Sequence, residues 1–191
     1  MKSNYITTYT GLRVVPIDIK PEDIEIRDIA HALSLITRGN GHVKTFFSVG
    51  RHCIHCALEA IARGYSNDIA LACLLHDASE AYLSDIPSPL KPYLPEFNEY
   101  EDRIMDVIYT KYLGAPLSDE QYCRVKSVDR DMLYYDLLIL LNEKSDRPKP
   151  VMYSKFNYEP RLFEDVEKQY LDLFNNLYSL VSSCDKKAYN Q

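Results

Sequence analysis

The segment IALACLLHDASEAYL, residues 69–83, restricts what this chain can fold into more than any other stretch. It is apolar nearly all round, so it has no face to give to water and is predicted as a central helix buried on every side. Asn67 or Asp68 is placed to cap it. Other helices must then wrap around it to make one core. The same segment carries His76, Asp77 and Glu80, groups that are costly to bury unless paired or bound to a metal. At about 100° per residue the three fall within one sector of the helix and project toward one place. Imidazole nitrogen and carboxylate oxygen suit a divalent first-row ion. A helix-end ion pair or a hydrogen-bonded core histidine is the competing reading of these residues taken alone.

Helical spacing recurs through most of the chain. Residues 5–20 read as two short extended runs around Thr10-Gly11, a small hairpin. Pro21-Glu22-Asp23 opens a helical turn. Asp28 stands before a helix marked by Ile29, Leu33 and Ile36. A helix from about Ser48 to Arg63 ends at Gly64. Residues 85–97 hold four prolines and are expected to be a loop. Helices are predicted at about 98–113, 118–127 and 129–144. A polar loop follows at 145–160, then an amphipathic helix at about 161–181 and a frayed tail at 182–191. The expectation is a single all-α domain over 1–191 with a short N-terminal β-hairpin.

SVGRHCIHCALEA, residues 48–60, places two histidines and two cysteines within five positions. On a helix Cys53 and His55 point far apart, so the four cannot converge as a self-contained zinc knuckle. Cys53 and Cys56 read as small apolar fillers, and His55 and Glu59 fall on the polar side. His52 remains free to serve a site shared with other helices. A further acid, Asp129, stands where an N-cap of the 129–144 helix is expected. Asp131 and Asp136 read as solvated.

Net charge excludes one large class of partner. At −6, with a pI near 5.4, the chain lacks the basic surface that binds duplex nucleic acid. No apolar run is long enough to span a bilayer, and the N-terminus has no signal-peptide core. Five cysteines without framework spacing point to reduced thiols and a cytoplasmic location.

The order of these residues resembles the HD-domain metal-dependent phosphohydrolases. One histidine lies near the start of a helix, His-Asp in the next, and a later Asp follows. YTGLRVVPIDIKPEDIEIRDIAHALSLITRGNGH, then FFSVGRHC and LLHDASEAYLSDIPSPLK, is similar to the phage and prophage branch of that superfamily. That branch resembles the bacterial 5′-deoxynucleotidases and phage deoxyadenosine triphosphatases. The likeness runs from about Tyr5 to Asn142 and implies the HD-domain helical fold, in the cytosol of a bacterial or phage-infected cell.

It further implies that His52, His76, Asp77 and Asp129 ligate a divalent metal, whether Mn²⁺, Co²⁺, Zn²⁺, Fe²⁺ or Mg²⁺. Glu80 and Asp85 would activate the attacking water. Arg38 and Lys91 would bind substrate phosphate, and His42 would sit in the family's Gly-His turn. The implied substrate is a small-molecule deoxynucleotide, as monophosphate or triphosphate, dATP among them, and the implied assembly is a homo-oligomer. Close relatives carry an aromatic residue after the arginine, where this chain has Gly39, so the base pocket is expected to be wider or filled by another side chain such as Phe46. A cyclic or signalling nucleotide as substrate, and a non-catalytic nucleotide-binding protein on the same scaffold, are the alternatives.

Overall fold

A computed structural model of the chain describes the backbone of residues 4–188 and the side chains of residues 4–183. Strands β1 (Ile6–Thr7) and β2 (Arg13–Val14) pair antiparallel, with Ile6 opposite Val14 and Thr7 opposite Arg13. The helices are α1 (Ile26–Leu35), α2 (Val49–Ala62), α3 (Asn67–Leu75), α4 (Glu80–Leu83), α5 (Pro95–Leu113), α6 (Asp119–Leu140) and α7 (Phe163–Ala188). The expected mostly helical fold with one small hairpin is what the chain adopts.

Helix α3 is the hub. Every residue from Ile69 to Leu75 is buried, as an element without a polar face requires. Its neighbours are α2, α5, α6 and α7. The α2–α3 connection is tight because Gly64 takes a left-handed φ of 73°, and its N–H bonds the Ile61 carbonyl at 2.9 Å. Helix α7 closes the core from outside, where the buried Tyr170 hydroxyl donates to the Leu74 carbonyl at 2.8 Å. Gly50 lets α2 cross α1 closely: a Cβ there would lie 3.1 Å from the Leu33 carbonyl group.

Asp28 does not start α1. The N-cap is Glu25, and the buried Asp28 carboxylate takes the Thr10 N–H at 2.6 Å and its hydroxyl at 2.8 Å. It pins the hairpin turn to the bundle. His31 adds a second tie, stacked on Tyr9 at 3.7 Å and bonded to Glu167 at 2.9 Å.

Three expectations about helices need correction. The buried segment of residues 69–83 is not one helix: α3 ends at Leu75, residues 76–79 form a turn, and α4 restarts at Glu80. The turn is tightened by i→i+3 bonds such as Ala78 N–H to the Leu75 carbonyl at 2.8 Å. Conversely, α6 runs unbroken where two helices were expected, because it contains neither Gly nor Pro and opens with a Ser118–Gln121 capping box. Asp129 is therefore mid-helix rather than an N-cap. Helix α7 continues to Ala188 through most of the expected frayed tail; residues 189–191 of that expectation lie outside the described residues. No helix among the described residues is long and apolar enough to cross a membrane.

Candidate metal centre

Three helices and a turn bring polar side chains together at one largely buried place. His52 comes from the first turns of α2, one turn after its N-cap Ser48, whose hydroxyl accepts the Arg51 N–H. His76 comes from the C-cap of α3, Asp77 from the tight turn that follows, and Asp129 from the middle of α6. The break at residues 76–79 changes the geometry expected of an unbroken helix, yet it leaves His76 and Asp77 side by side.

His52 is fully buried and both ring nitrogens are engaged. Its Nδ1 lies 2.7 Å from Asp136 Oδ2 and its Nε2 lies 3.1 Å from Asp129 Oδ1. His76 Nδ1 donates to the Cys73 carbonyl at 2.8 Å, which turns its Nε2 inward. That Nε2 is buried and has no hydrogen-bond partner, though it faces Asp77 Oδ2 at 3.2 Å and Asp129 Oδ1 at 3.5 Å. The donor atoms of His52, Cys56, His76 and Asp129 all lie within 4.8 Å of one another, close enough to hold a metal ion together. Asp77 converges with His76 and Cys53 in an adjoining group.

The electrostatics favour a cation at this point. Burial pushes Asp77 up, but His76 and Arg38 outweigh it and hold the carboxyl well below the usual range. Burial likewise opposes ionisation of Asp129, and His52 and His76 overcome it. Burial pulls His76 down, but Asp77 and Asp129 more than reverse that, so its folded pKa is raised. Carboxylates held ionised in a buried place describe a site where positive charge is preferred. An orphaned imidazole nitrogen beside ionised carboxylates fits a divalent ion.

Glu80 and Asp85 stand at the edge of this centre. Glu80 is buried, its Oε2 lacks a partner, and burial with Asp77 and Asp85 nearby raises its pKa well above the ordinary value. Asp85 is also raised by burial, against the pull of Arg38. Ser84 before it takes a positive φ of 75° and ends α4.

Arg38 is not a surface charge. Its side chain is only 14% exposed, with Nη1 3.5 Å from Asp77 and Nη2 3.7 Å from Asp136. It lines a cleft of about 360 Å³ with Asp85, Asp136, Val43, Leu137 and Leu140. Gly39 lies on the same cleft with a φ of 58°, and a Cβ there would meet Leu141 and Val43 at 3.7 Å. Aliphatic side chains thus wall the place where an aromatic was missing. Phe46, offered as a substitute, is 42% exposed and is not among the residues lining this cleft.

A second cleft of about 280 Å³ is lined by His76 and Asp77 together with Lys91 and Lys126. Lys91 is bound by both oxygens of Glu101 at 2.8 Å. Lys126, which sequence reasoning passed over, has its Nζ 3.8 Å from Asp129 Oδ2. His42 sits exposed at the end of the 38–41 turn and lines neither cleft.

Other residues read as solvated or as filler are part of the arrangement. Asp136 is 4% exposed. Burial opposes its ionisation, but His52, Arg38 and the Tyr158 hydroxyl at 2.9 Å keep its pKa low. Its place was readable: on a continuous helix it lies on the face of Val125, Val128, Met132 and Leu140. Asp131 pairs with Arg63 at 3.1 Å and Arg147 at 3.0 Å. His55 and Glu59 are buried because the 150–160 segment crosses the polar face of α2. Glu59 accepts the Tyr153 N–H at 3.1 Å and the Ser154 N–H at 3.0 Å, and Arg51 donates to the carbonyls of Asn157 and Glu159. Cys56 is buried but is not plain filler, since its Sγ lies 3.5 Å from His52 Nε2.

Fold and site define a mostly helical protein with a buried His/Cys/Asp cluster able to hold a metal ion. No family model matches the chain. It is 35% identical over 143 residues to the uncharacterized protein YfdR of Escherichia coli strain K12, covering 75% of this chain and 72% of that one. It is 34% identical over 122 residues to the uncharacterized protein RCAP_rcc00048 of Rhodobacter capsulatus, covering 61% of each. The chain belongs to the family of YfdR.

Proposed function

We propose that this protein is a metal-dependent phosphohydrolase of the HD type, cleaving the 5′-phosphate ester of a deoxynucleotide. The observation that carries the reading is the convergence of two imidazoles on one carboxylate, with Asp129 Oδ1 3.1 Å from His52 Nε2 and 3.5 Å from His76 Nε2, beside Asp77, Arg38 and Glu80. His52, His76 and Asp129 would hold the divalent ion, with Asp77 adjoining. Bound there, the ion supplies Lewis-acid polarisation of a phosphate oxygen and a water of lowered pKa.

The chain's own residues do the remaining work. Arg38 presents a guanidinium, held between Asp77 and Asp136, to phosphate oxygens. Glu80 is a buried carboxyl with a free oxygen and a raised pKa, suited to take the proton of the attacking water and return it to the leaving oxygen. Asp85 supports it from the cleft wall. The aliphatic wall beside Gly39 suits the sugar and base, which need apolar contact and few polar contacts. Lys91, occupied by Glu101, contributes little charge to a phosphate chain, which favours a monophosphate over a triphosphate. This reading carries with it a cytoplasmic, self-associating protein.

The test is a substrate panel. The purified chain would be given deoxynucleoside mono- and triphosphates and cyclic nucleotides with Mn²⁺, Co²⁺, Zn²⁺ or Mg²⁺. Release of inorganic phosphate and a deoxynucleoside is expected. Turnover of cyclic nucleotides alone, opened to nucleoside monophosphates, or no turnover with any ion, would overturn the reading.

A further inference from the structure

The donor set around His52 is not made of imidazole and carboxylate alone. Cys56 lies one helical turn after His52 on α2, so both side chains leave the same face. Cys56 Sγ stands 3.5 Å from His52 Nε2 and within 4.8 Å of the His76 and Asp129 donor atoms. It is 1% exposed and lines neither of the two clefts that flank the centre.

Coordination geometry gives these separations a meaning. With metal–nitrogen and metal–oxygen bonds near 2.0–2.2 Å and metal–sulfur near 2.3 Å, tetrahedral neighbours stand about 3.3–3.6 Å apart. Here His52 to Cys56 is 3.5 Å, His76 to Asp129 is 3.5 Å and His52 to Asp129 is 3.1 Å. Each histidine has its other nitrogen committed, His52 Nδ1 to Asp136 and His76 Nδ1 to the Cys73 carbonyl. Nε2 is therefore the atom each ring offers, and that of His76 is buried without a hydrogen-bond partner. A buried cysteine that only filled space would need no such approach to a ring nitrogen that also faces Asp129.

We infer that Cys56 is a metal donor, and that its sulfur makes this centre select a thiolate-accepting ion such as Zn²⁺, Co²⁺ or Fe²⁺ over Mg²⁺ or Mn²⁺. When the metal–sulfur bond forms, the S–H bond breaks and the proton leaves to solvent. The inference rests on the proposed metal site for its three other donors, but not on any substrate or hydrolytic step. Soft thiolate shifts preference toward these ions, whereas Mg²⁺ and Mn²⁺ prefer oxygen donors.

Cobalt tests this directly, because a thiolate bound to Co²⁺ gives an intense near-ultraviolet charge-transfer band that imidazole and carboxylate do not. The full-length protein titrated with Co²⁺ is expected to show that band, and Cys56→Ser to lose it. In the same variant Zn²⁺ affinity should fall about 10–100-fold, and Mn²⁺ affinity should move less than about threefold. X-ray absorption on the zinc-loaded wild type should show a sulfur neighbour at about 2.3 Å, a readout that stands even where the variant fails to fold. Only nitrogen and oxygen neighbours in the wild type would overturn the inference. So would a band that survives Cys56→Ser and disappears in Cys53→Ser. Phosphate release measured on the same samples separates the two claims, since hydrolysis without a sulfur ligand refutes this one alone, and a sulfur ligand without hydrolysis refutes only the proposed activity.

Discussion

Asp136 on α6 receives the Nδ1 side of the His52 ring at 2.7 Å and is itself held by the Tyr158 hydroxyl at 2.9 Å. A carboxylate there fixes the tautomer in which Nε2 is free for a metal. Asp136→Ala should therefore weaken Zn²⁺ binding by about 10–100-fold, read by calorimetric titration, with helicity unchanged. Tyr158→Phe should have a smaller effect in the same direction. Equal affinity in Asp136→Ala and wild type would remove Asp136 from the site.

Glu59 makes a different prediction, about stability. It is fully buried and ties Arg63 at 2.8 Å to the backbone N–H groups of Tyr153 and Ser154. Glu59→Ala leaves those N–H groups without their acceptor and the Arg63 guanidinium with Asp131 alone. Urea unfolding should show a loss of about 3–5 kcal/mol. A loss under about 1 kcal/mol, the ordinary worth of a surface pair, would mean that the 150–160 segment is held by other contacts.

His55 should make the fold sensitive to acid. Burial pulls its pKa from 6.5 to about 3, where it packs against Phe47, Phe156 and Tyr158. Its folded pKa lies below its unfolded one, so the unfolded chain takes up this proton first as pH falls. The stability tied to the neutral ring is complete above about pH 6.5 and declines from there toward pH 3 by about 1.4 kcal/mol per pH unit. His55→Phe should flatten the stability–pH profile by one proton's worth in that window. Parallel wild-type and variant profiles would show that His55 does not carry this dependence.

Arg38 and Lys91 should separate in kinetics. Arg38 faces the centre from the apolar-walled cleft, whereas Glu101 takes up the Lys91 ammonium. For a deoxynucleoside monophosphate, Arg38→Ala should lower kcat/KM by about 10–100-fold, the worth of a charge-assisted hydrogen bond. Lys91→Ala should lower it less than about threefold, within the range of an exposed ion pair. The reverse order would place the phosphate in the cleft lined by Lys91 and Lys126.

Much of this centre is legible in the sequence. His76 and Asp77 stood out because charge within an apolar helix demands a partner, and His52 because its neighbours pointed elsewhere. What escaped was whatever depended on packing between distant segments. Asp136 looked solvated because no local rule says that His52 will lie against its face of α6. His55 and Glu59 looked exposed because the polar 145–160 segment gives no local sign that it covers α2. Asp129 reads as a helix start because an aspartate ahead of the apolar run Met132, Leu133, Leu137 and Leu140 imitates an N-cap in a helix that has no boundary there. Cys56 was dismissed as filler on helical geometry that excluded a closed knuckle but not a site shared across helices.

The central claim is that His52, His76 and Asp129 hold one divalent ion. Equilibrium dialysis of the metal-stripped protein against Zn²⁺ or Co²⁺ tests it most directly, with bound ion counted per chain in wild type and in Asp129→Ala. One tightly bound ion per wild-type chain is expected, with loss of that ion in a variant that keeps its helical circular dichroism. A wild type that binds none, or a variant that binds as tightly as the wild type, would contradict the account.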